Sequence, residues 1–316
     1  MKVFLTGASG FIGSAIAKEL IAGGNQIIGL ARSDASAKKL AAAGIEVIRG
    51  SLDDLNSIKS GAAKSDGVIH TAFIHEFSYI SLAKRLKVIF GGLPNGIAPR
   101  FMATIADMDR KAIEVIGTTL AGSGRPLVIA SGTLLLPLGR VVNETDLPDP
   151  ASPAAYRAQS EKTAIDFASK GVRTSVIRLP PTVHGDGDYG FIPRLIKLAQ
   201  KTGVSGYVNN GQNYWPAVHR LDVASLFISA LEKGTAGFVY HGVAEEGIPF
   251  FEIAMVIGKK LNLPVASKPE KHFGFLGSIV AADNKTSSTL TQERLGWMPK
   301  QPTLIADLEN GNHFAL

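Results

Sequence analysis

Short apolar runs alternate along the chain with stretches whose apolar residues recur every three or four positions. The first kind reads as buried strand and the second as amphipathic helix. Lys2–Thr6 predicts a strand, and Phe11–Ala22 a helix with Ile12, Ala15, Ile16 and Leu20 on one face. Gly23-Gly24 ends that helix, because glycine accepts the conformation beyond a helix C-terminus at little cost. Further strands are predicted at Gln26–Ala31, 45–49, 67–71, 126–131 and 172–178, with helices at 35–43, from Asp53/Asp54 onward, and at 153–170. Repeated β-α-β units with strands apolar throughout predict an α/β fold, a Rossmann-type doubly wound parallel sheet with helices on both faces.

After Pro180 the rhythm changes. Short strands, prolines and glycines alternate with helices at Phe191–Thr202, 222–233 and Phe250–Leu261. The chain therefore predicts a Rossmann domain over 1–180 and a smaller C-terminal lobe over 181–316. A segment near 222–241, with a strand at Phe238–His241, is expected to return to the main sheet. Between the fourth and fifth strands lie more than fifty residues, of which only the part from about Phe101 reads as a long helix. Residues 79–100 hold Gly91-Gly92, Pro94-Asn95-Gly96 and Pro99, and read as a loop. A connection of that length at the carboxyl end of a strand predicts a lid over a ligand, with Leu82, Leu86, Val88, Ile89, Phe90 and Leu93 as its apolar underside. The competing reading is a structural insertion or an oligomer contact.

Composition narrows the field. Among 316 residues 45% are hydrophobic and 19% charged, which are globular proportions. Net charge is +6 and the sequence pI about 9.4, but the basic residues are scattered, so nucleic acid is not an expected partner. There is no cysteine, which excludes disulfides, thiolate catalysis and Cys-ligated zinc, and no metal site is expected. No basic and apolar leader precedes the first strand, and no apolar run approaches the ~18 residues that span a bilayer. A soluble cytoplasmic protein without membrane contact is the expectation.

The candidate chemistry starts at Thr6-Gly7-Ala8-Ser9-Gly10-Phe11-Ile12-Gly13, between a strand and a helix. Gly7 permits the tight turn, Gly10 lets the backbone approach a pyrophosphate, and Gly13 lets the helix pack against the sheet. Backbone N–H groups of the Ser9–Gly13 stretch and the positive helix end then face the phosphates. A ligand-free glycine turn is the bland alternative, but the strand-to-helix context predicts a nicotinamide dinucleotide. About 20 residues on, NAD binders carry an acid at the end of the second strand. Here Arg32-Ser33 stands instead, a guanidinium and a hydroxyl suited to a 2′-phosphate, so NADP(H) is preferred over NAD(H). Asp34 follows and keeps the NAD alternative open.

Four motifs together resemble the extended short-chain dehydrogenases/reductases, the NAD-dependent epimerase/dehydratase family. They are the glycine motif, Val68-Ile69-His70-Thr71-Ala72, Arg178-Leu179-Pro180-Pro181-Thr182-Val183-His184-Gly185 and Pro216-Ala217-Val218-His219-Arg220-Leu221-Asp222-Val223-Ala224. The resemblance covers nearly the whole chain. It implies that Ser51 and Leu52 lie beside the adenine, where the family has Asp-Leu. It also implies that Ala72 and Phe73 pass the cofactor ribose, and that Pro180 lies near the nicotinamide. His184 stands where the family often has tyrosine; for His184 and His70 a packed, locally bonded histidine outweighs proton transfer.

The family's catalytic pair is Tyr-x-x-x-Lys on the helix after the fifth strand. This chain has Tyr156-Arg157-Ala158-Gln159-Ser160-Glu161-Lys162, with Tyr156 and Lys162 six apart, about 240° around a helix. Aligning Ser160 with the serine that often precedes the family lysine puts Arg157 and Glu161 at the Tyr and Lys positions. Arg157 is a poor acid at neutral pH. The chain therefore resembles an atypical subgroup lacking the dyad. Ser131 and Thr133 follow the fifth strand, where the family holds the substrate. Ser131, Thr133 and Tyr156 are the candidate catalytic residues.

The leading functional expectation is an NADPH-dependent oxidoreductase of the carbonyl or aldehyde reductase type, acting on a small-molecule carbonyl substrate. A non-catalytic NADP-binding sensor and a sugar-nucleotide epimerase or dehydratase are the alternatives. Family members often pair through helices flanking the sheet, so a homodimer stays open.

Overall fold

A computed structural model describes residues 1–314. The buried apolar runs form the strands. In β1 (Lys2–Thr6) the side chains of Val3, Phe4 and Leu5 have no exposed surface. Then come α1 (Phe11–Ala22), β2 (Gln26–Ala31), α2 (Asp34–Ala42), β3 (Glu46–Arg49), α3 (Leu55–Ala63) and β4 (Gly67–His70). They are followed by α4 (Leu82–Phe90), α5 (Ile97–Leu120), β5 (Pro126–Gly132), α6 (Ala158–Asp166), β6 (Arg173–Leu179), β7 (Thr182–His184), α7 (Phe191–Thr202), β8 (Ser205–Tyr207), β9 (Tyr214–His219), α8 (Arg220–Lys233) and β10 (Phe238–His241). The chain continues through β11 (Glu245–Pro249), α9 (Phe250–Leu261), β12 (Val265–Ser267), α10 (Gly277–Val280), α11 (Thr289–Leu295) and α12 (Leu304–Asn310). The main sheet has seven strands in the order β10-β6-β5-β4-β1-β2-β3. β1 pairs in parallel with β2 and β4, β2 with β3, and β4 with β5. This is the expected Rossmann-type α/β sheet. Its order reverses at β1/β4, and ligands in such sheets bind beyond the carboxyl ends of the strands at the reversal.

Packing divides the chain into two compact units. The first comprises Met1–Ala130, Tyr156–Val176 and Phe227–Phe238; the second comprises Ser131–Ala155, Ile177–Leu226 and Val239–Leu316. The chain thus passes between units several times, and the first unit includes Phe227–Phe238, within the segment near 222–241 that was expected to return.

Two elements depart from the sequence reading. Residues 79–100 are not a loop: α4 occupies Leu82–Phe90, and α5 begins at Ile97 rather than near Phe101. Gly91 follows the end of α4 and Pro94 starts a short turn, so the residues that look like breakers are punctuation between helices. Arg100 fastens the piece, donating from Nε to the Val88 carbonyl (2.8 Å) and from Nη1 to that of Leu93 (3.1 Å). Of the expected apolar underside only Val88 is buried; Leu82, Leu86, Ile89, Phe90 and Leu93 face solvent. The continuous helix expected at 153–170 is also broken. A tight turn at Ala155–Arg157 precedes α6, and another at Phe167–Lys170 follows it.

In the second unit, β9 sits between β7 and β11, and β8 pairs in parallel with β12. Trp215 is fully buried, its ring 4.9 Å from that of Phe250 in edge contact, among Ile192, Ile196, Ile253 and Leu304. Polar anchors hold the C-terminal segment. Asp222, in the first turn of α8, accepts from the backbone N–H groups of Lys300 (2.9 Å) and Gln301 (3.1 Å), while Trp297 Nε1 donates to its carbonyl (3.0 Å). Asp307 Oδ2 accepts from His184 Nδ1 and His313 Nε2, each at 2.7 Å.

Replacing Asp222 by Ala leaves two backbone donors without their charged acceptor and is expected to cost about 3 kcal/mol, read from urea denaturation. An unchanged urea midpoint would show that the anchor is not energetic. A pH dependence also follows. Burial drives His184 down to about 4, against the opposing hydrogen bond and charge of Asp307, and drives His241 down to about 3. Unfolded histidine titrates near 6.5. The unfolded chain therefore binds protons that the folded chain refuses, and stability falls as pH drops from about 6.5 toward 4. Asp188, pushed up to about 6 by burial, works in the opposite sense but offsets only one of the two histidines. Melting temperatures across this window should fall with acidification; a flat profile would contradict the assignment.

Candidate functional site

The glycine loop leaves the end of β1 and turns straight into α1. Gly7 has φ +78°, a region that favours glycine, and a Cβ there would lie 2.7 Å from Thr71 Oγ1 and 2.8 Å from the Ala72 nitrogen. At Gly13 a Cβ would lie 2.1 Å from the Gly7 carbonyl oxygen. Both glycines are demanded by the protein itself. Gly10 differs. It caps α1 with φ −80° and ψ 179°, an ordinary extended conformation open to any residue. No side chain caps α1 there, so the positive helix end is left to a ligand. Ser9, Gly10, Phe11 and Ile12 are all partly accessible along this stretch. The cradle fits a pyrophosphate.

At the end of β2, Arg32 is exposed, and its guanidinium lies over the Tyr79 ring, 3.6 Å from the centroid. Ser33 is engaged as the cap of α2: its hydroxyl accepts from the Ser36 N–H (3.2 Å), and Ser36 Oγ donates back to its carbonyl (2.8 Å). Asp34 is held by Arg49 Nη2 (2.7 Å), and Arg49 Nη1 donates to the Ser33 carbonyl (2.5 Å). Ser51 Oγ accepts from the Asp53 N–H (3.3 Å), in the turn that leads into α3, and Leu52 is buried.

The ends of β1, β4 and β5 carry a buried polar chain. Asp109 on α5 is 1% exposed. Burial pushes its carboxyl up, but the hydrogen bond from His70 and the charge of Arg157 outweigh burial and hold it below the usual carboxylate range. An ionised carboxylate only accepts, so His70 Nε2 donates to Asp109 Oδ1 (3.2 Å). Its Nδ1 is hydrogen-bonded to Thr6 Oγ1 (2.9 Å), which itself accepts from the Ala72 N–H (3.3 Å). The packed, bonded reading of His70 describes what the structure contains. Ala72 and Phe73 come next along the chain, and the Arg157 guanidinium stacks on the Phe73 ring at 4.1 Å.

Tyr156 sits on the tight turn before α6, not on the helix, so helical spacing does not govern its direction. Burial pushes its phenol above the ordinary tyrosine value, with Arg157 opposing and Asp109 adding to the shift. Lys162 pairs with Asp166 at the surface (2.7 Å), and Glu161 is buried. In the second unit Ser131 Oγ is buried with no hydrogen-bond partner. Thr133 is different: its hydroxyl donates to Asn284 Oδ1 (2.6 Å), and Asn284 Nδ2 donates back to its carbonyl (3.2 Å). Thr133 and Asn284 are both fully buried in this reciprocal pair. Pro180 is buried, and His184 is tied to Asp307.

Three residues of this neighbourhood escape the sequence reading. Asp109 lies in a helix whose burial only the tertiary structure shows. Tyr79 and Arg49 gain meaning from sitting beside Arg32 and Asp34. The charge pattern Arg32…Arg49 at the ends of adjacent strands was the available signal.

Residues 3–87 match the NAD dependent epimerase/dehydratase family. An uncharacterized protein of Schizosaccharomyces pombe is 48% identical over 99% of this chain and 100% of its own length. The chain belongs to the NAD-dependent epimerase/dehydratase family. A second relative of this epimerase/dehydratase chain is the 4-hydroxy-2-methyl-3-oxo-4-farnesyl-3,4-dihydroquinoline-1-oxide ketoreductase of Stigmatella aurantiaca, 29% identical over 76% of this chain and 67% of that one. Among solved structures, the dTDP-glucose 4,6-dehydratase from Streptomyces venezuelae with NAD bound shares the fold at a TM-score of 0.75 and 18% identity, covering 100% of this chain and 97% of that chain. No helix among the described residues is long and apolar enough to cross a membrane.

The two kinds of glycine separate experimentally. Gly13→Ala should lower stability by about 1–3 kcal/mol, because its methyl collides with the Gly7 carbonyl. Gly10→Val should melt normally yet lose NADPH in calorimetric titration, because its side chain takes the pyrophosphate space. A Gly10→Val protein that melts normally and still binds NADPH would show that the cradle has been misassigned.

Proposed function

We propose that the protein is an NADPH-dependent oxidoreductase that reduces a ketone or aldehyde carbonyl. The glycine cradle would hold the pyrophosphate, and the backbone of Ala72 and Phe73 the neighbouring ribose. Bound NADPH would supply the hydride. The observation that carries the reading is the placement of Tyr156, whose half-buried phenol sits on the turn before α6 next to Arg157. Burial raises its pKa, which disfavours the phenolate that a proton-abstracting base would need. Carbonyl reduction needs a proton donor. Sugar-nucleotide epimerisation begins with a group that takes a proton, which this phenol does poorly. The ketoreductase relative supports this reaction class.

One observation favours a second reading, a non-catalytic NADP-binding sensor. Lys162 is spent on a surface pair with Asp166, so it is not placed to lower the tyrosine pKa. NADPH oxidation followed at 340 nm against a panel of aldehydes and ketones separates the two; binding without turnover would select the sensor.

The preference for NADP(H) rests on Arg32, whose guanidinium stacks on Tyr79 while the nearby Asp34 is tied to Arg49. Arg32→Ala should weaken NADPH by about 10–100-fold, the loss of charge-assisted bonds to a phosphate, and leave NADH nearly unchanged. Equal wild-type affinities for the two cofactors in calorimetry would remove the argument.

A further inference from the structure

The arginines of the first unit provide their own comparison. Arg125 donates from Nε to Ser123 Oγ (3.1 Å), from Nη1 to the carbonyls of Ala62 (3.2 Å) and Ser65 (2.7 Å), and from Nη2 to that of Thr119 (3.3 Å). Arg173 donates to the carbonyls of Ala230, Gly234 and Leu231 at 3.4, 3.2 and 2.6 Å. Arg100 reaches four carbonyls at the end of α4. These side chains brace the fold, and each spreads its donors over several acceptors.

Arg157 is buried more deeply than it is bonded. Its side chain is 15% exposed, yet among the described residues it makes one hydrogen bond, from Nη2 to the Ala130 carbonyl (2.8 Å). Among the described residues its Nε is buried with no acceptor, and Asp109 Oδ2, 3.9 Å from Nη2 and too far for a hydrogen bond, has no hydrogen-bond partner. A guanidinium offers five N–H donors, and leaving them unmet away from water is costly. Three contacts nevertheless fix its position: the Ala130 carbonyl near the end of β5, the Phe73 ring beyond the end of β4, and the charge of Asp109. It is thus a held but unsaturated donor at the edge of a parallel sheet where ligands bind.

We propose that Arg157 is a substrate-binding residue that donates through its guanidinium to the substrate's carbonyl oxygen. This rests on the carbonyl-reductase reading given above. The charge balance names the ligand class. Arg157 and Asp109 together are neutral, so an uncharged aldehyde or ketone brings no net charge into the site, whereas a carboxylate would meet Asp109. As negative charge develops on the carbonyl oxygen, the guanidinium is the cation that stabilises it, because a fixed donor in a dry site needs no reorganisation. Arginine does not release its proton at neutral pH, so its part is polarisation and the proton comes from elsewhere.

The test uses R157A in the full-length protein. NADPH affinity by calorimetry should stay within about twofold of wild type, while kcat/KM for carbonyl reduction falls about 10²–10³-fold. Low-millimolar guanidinium chloride should restore part of the R157A turnover. It should also raise the R157A melting temperature without any cofactor present, by occupying the space beside Asp109; wild type should show neither effect. A merely structural arginine would give no such rescue. Turnover in R157A equal to wild type, or a loss that guanidinium leaves untouched in both rate and melting temperature, overturns the proposal. Should R157A fail to fold, the double variant D109N/R157M removes both charges; the same fall in kcat/KM with normal NADPH binding supports the assignment, and wild-type turnover overturns it. A wild type that binds NADPH but reduces no aldehyde or ketone overturns the reductase reading and this inference with it. That result is distinct from wild type and R157A both turning over at one rate, which removes Arg157 alone.

Discussion

Burying the carboxylate of Asp109 constrains the ends of β1, β4 and β5 together. A charge with 1% exposure survives ionised only if its surroundings supply donors and opposite charge. Those surroundings come from separate pieces of chain. His70 at the end of β4 gives the hydrogen bond, and Thr6 at the end of β1 fixes the ring from its other side. Arg157, at the start of α6, gives the opposite charge while hanging from β5 by the Ala130 carbonyl. The carboxylate thus ties an outer helix to three adjacent strands, and it does so at the edge where the order of strands reverses.

The glycine cradle obeys a different constraint. At Gly7 and Gly13 the loop leaves no room for a Cβ, because the loop closes on itself and on the residues after β4. Ala72 meets both systems: its N–H donates to Thr6 Oγ1, and its nitrogen is one of the atoms that a Cβ on Gly7 would strike. The cofactor cradle and the buried polar chain are therefore mechanically continuous through Thr6 and Ala72.

Much of this was legible in the sequence, for identifiable reasons. β1, β2 and β4 were readable because their runs are largely apolar and buried, and the glycine loop because its spacing sits between a strand and a helix. Residues 79–100 misled because glycine and proline mark loops on average, whereas here Gly91 and Pro94 separate two helical pieces that Arg100 holds together. Thr133 and Ser131 looked equivalent. Only the distant Asn284 distinguishes them, and 151 positions of chain separate Thr133 from that partner. Asp109 was invisible because nothing in a helical stretch reveals a buried carboxylate whose partners lie on other elements.

The six-residue spacing of Tyr156 and Lys162, with Lys162 paired to Asp166, bears on what these groups can do with protons. In the dyad a lysine lowers a tyrosine pKa, so one phenol both gives and takes a proton. Here the phenol of Tyr156 lies above its ordinary value, the guanidinium of Arg157 holds its protons, and the carboxylate of Asp109 is engaged by His70. The phenol and the guanidinium are donors, and such groups can polarise an oxygen on which negative charge develops. This arrangement arises from burial and charge placement, not from the fold, which the solved dehydratase structure shares.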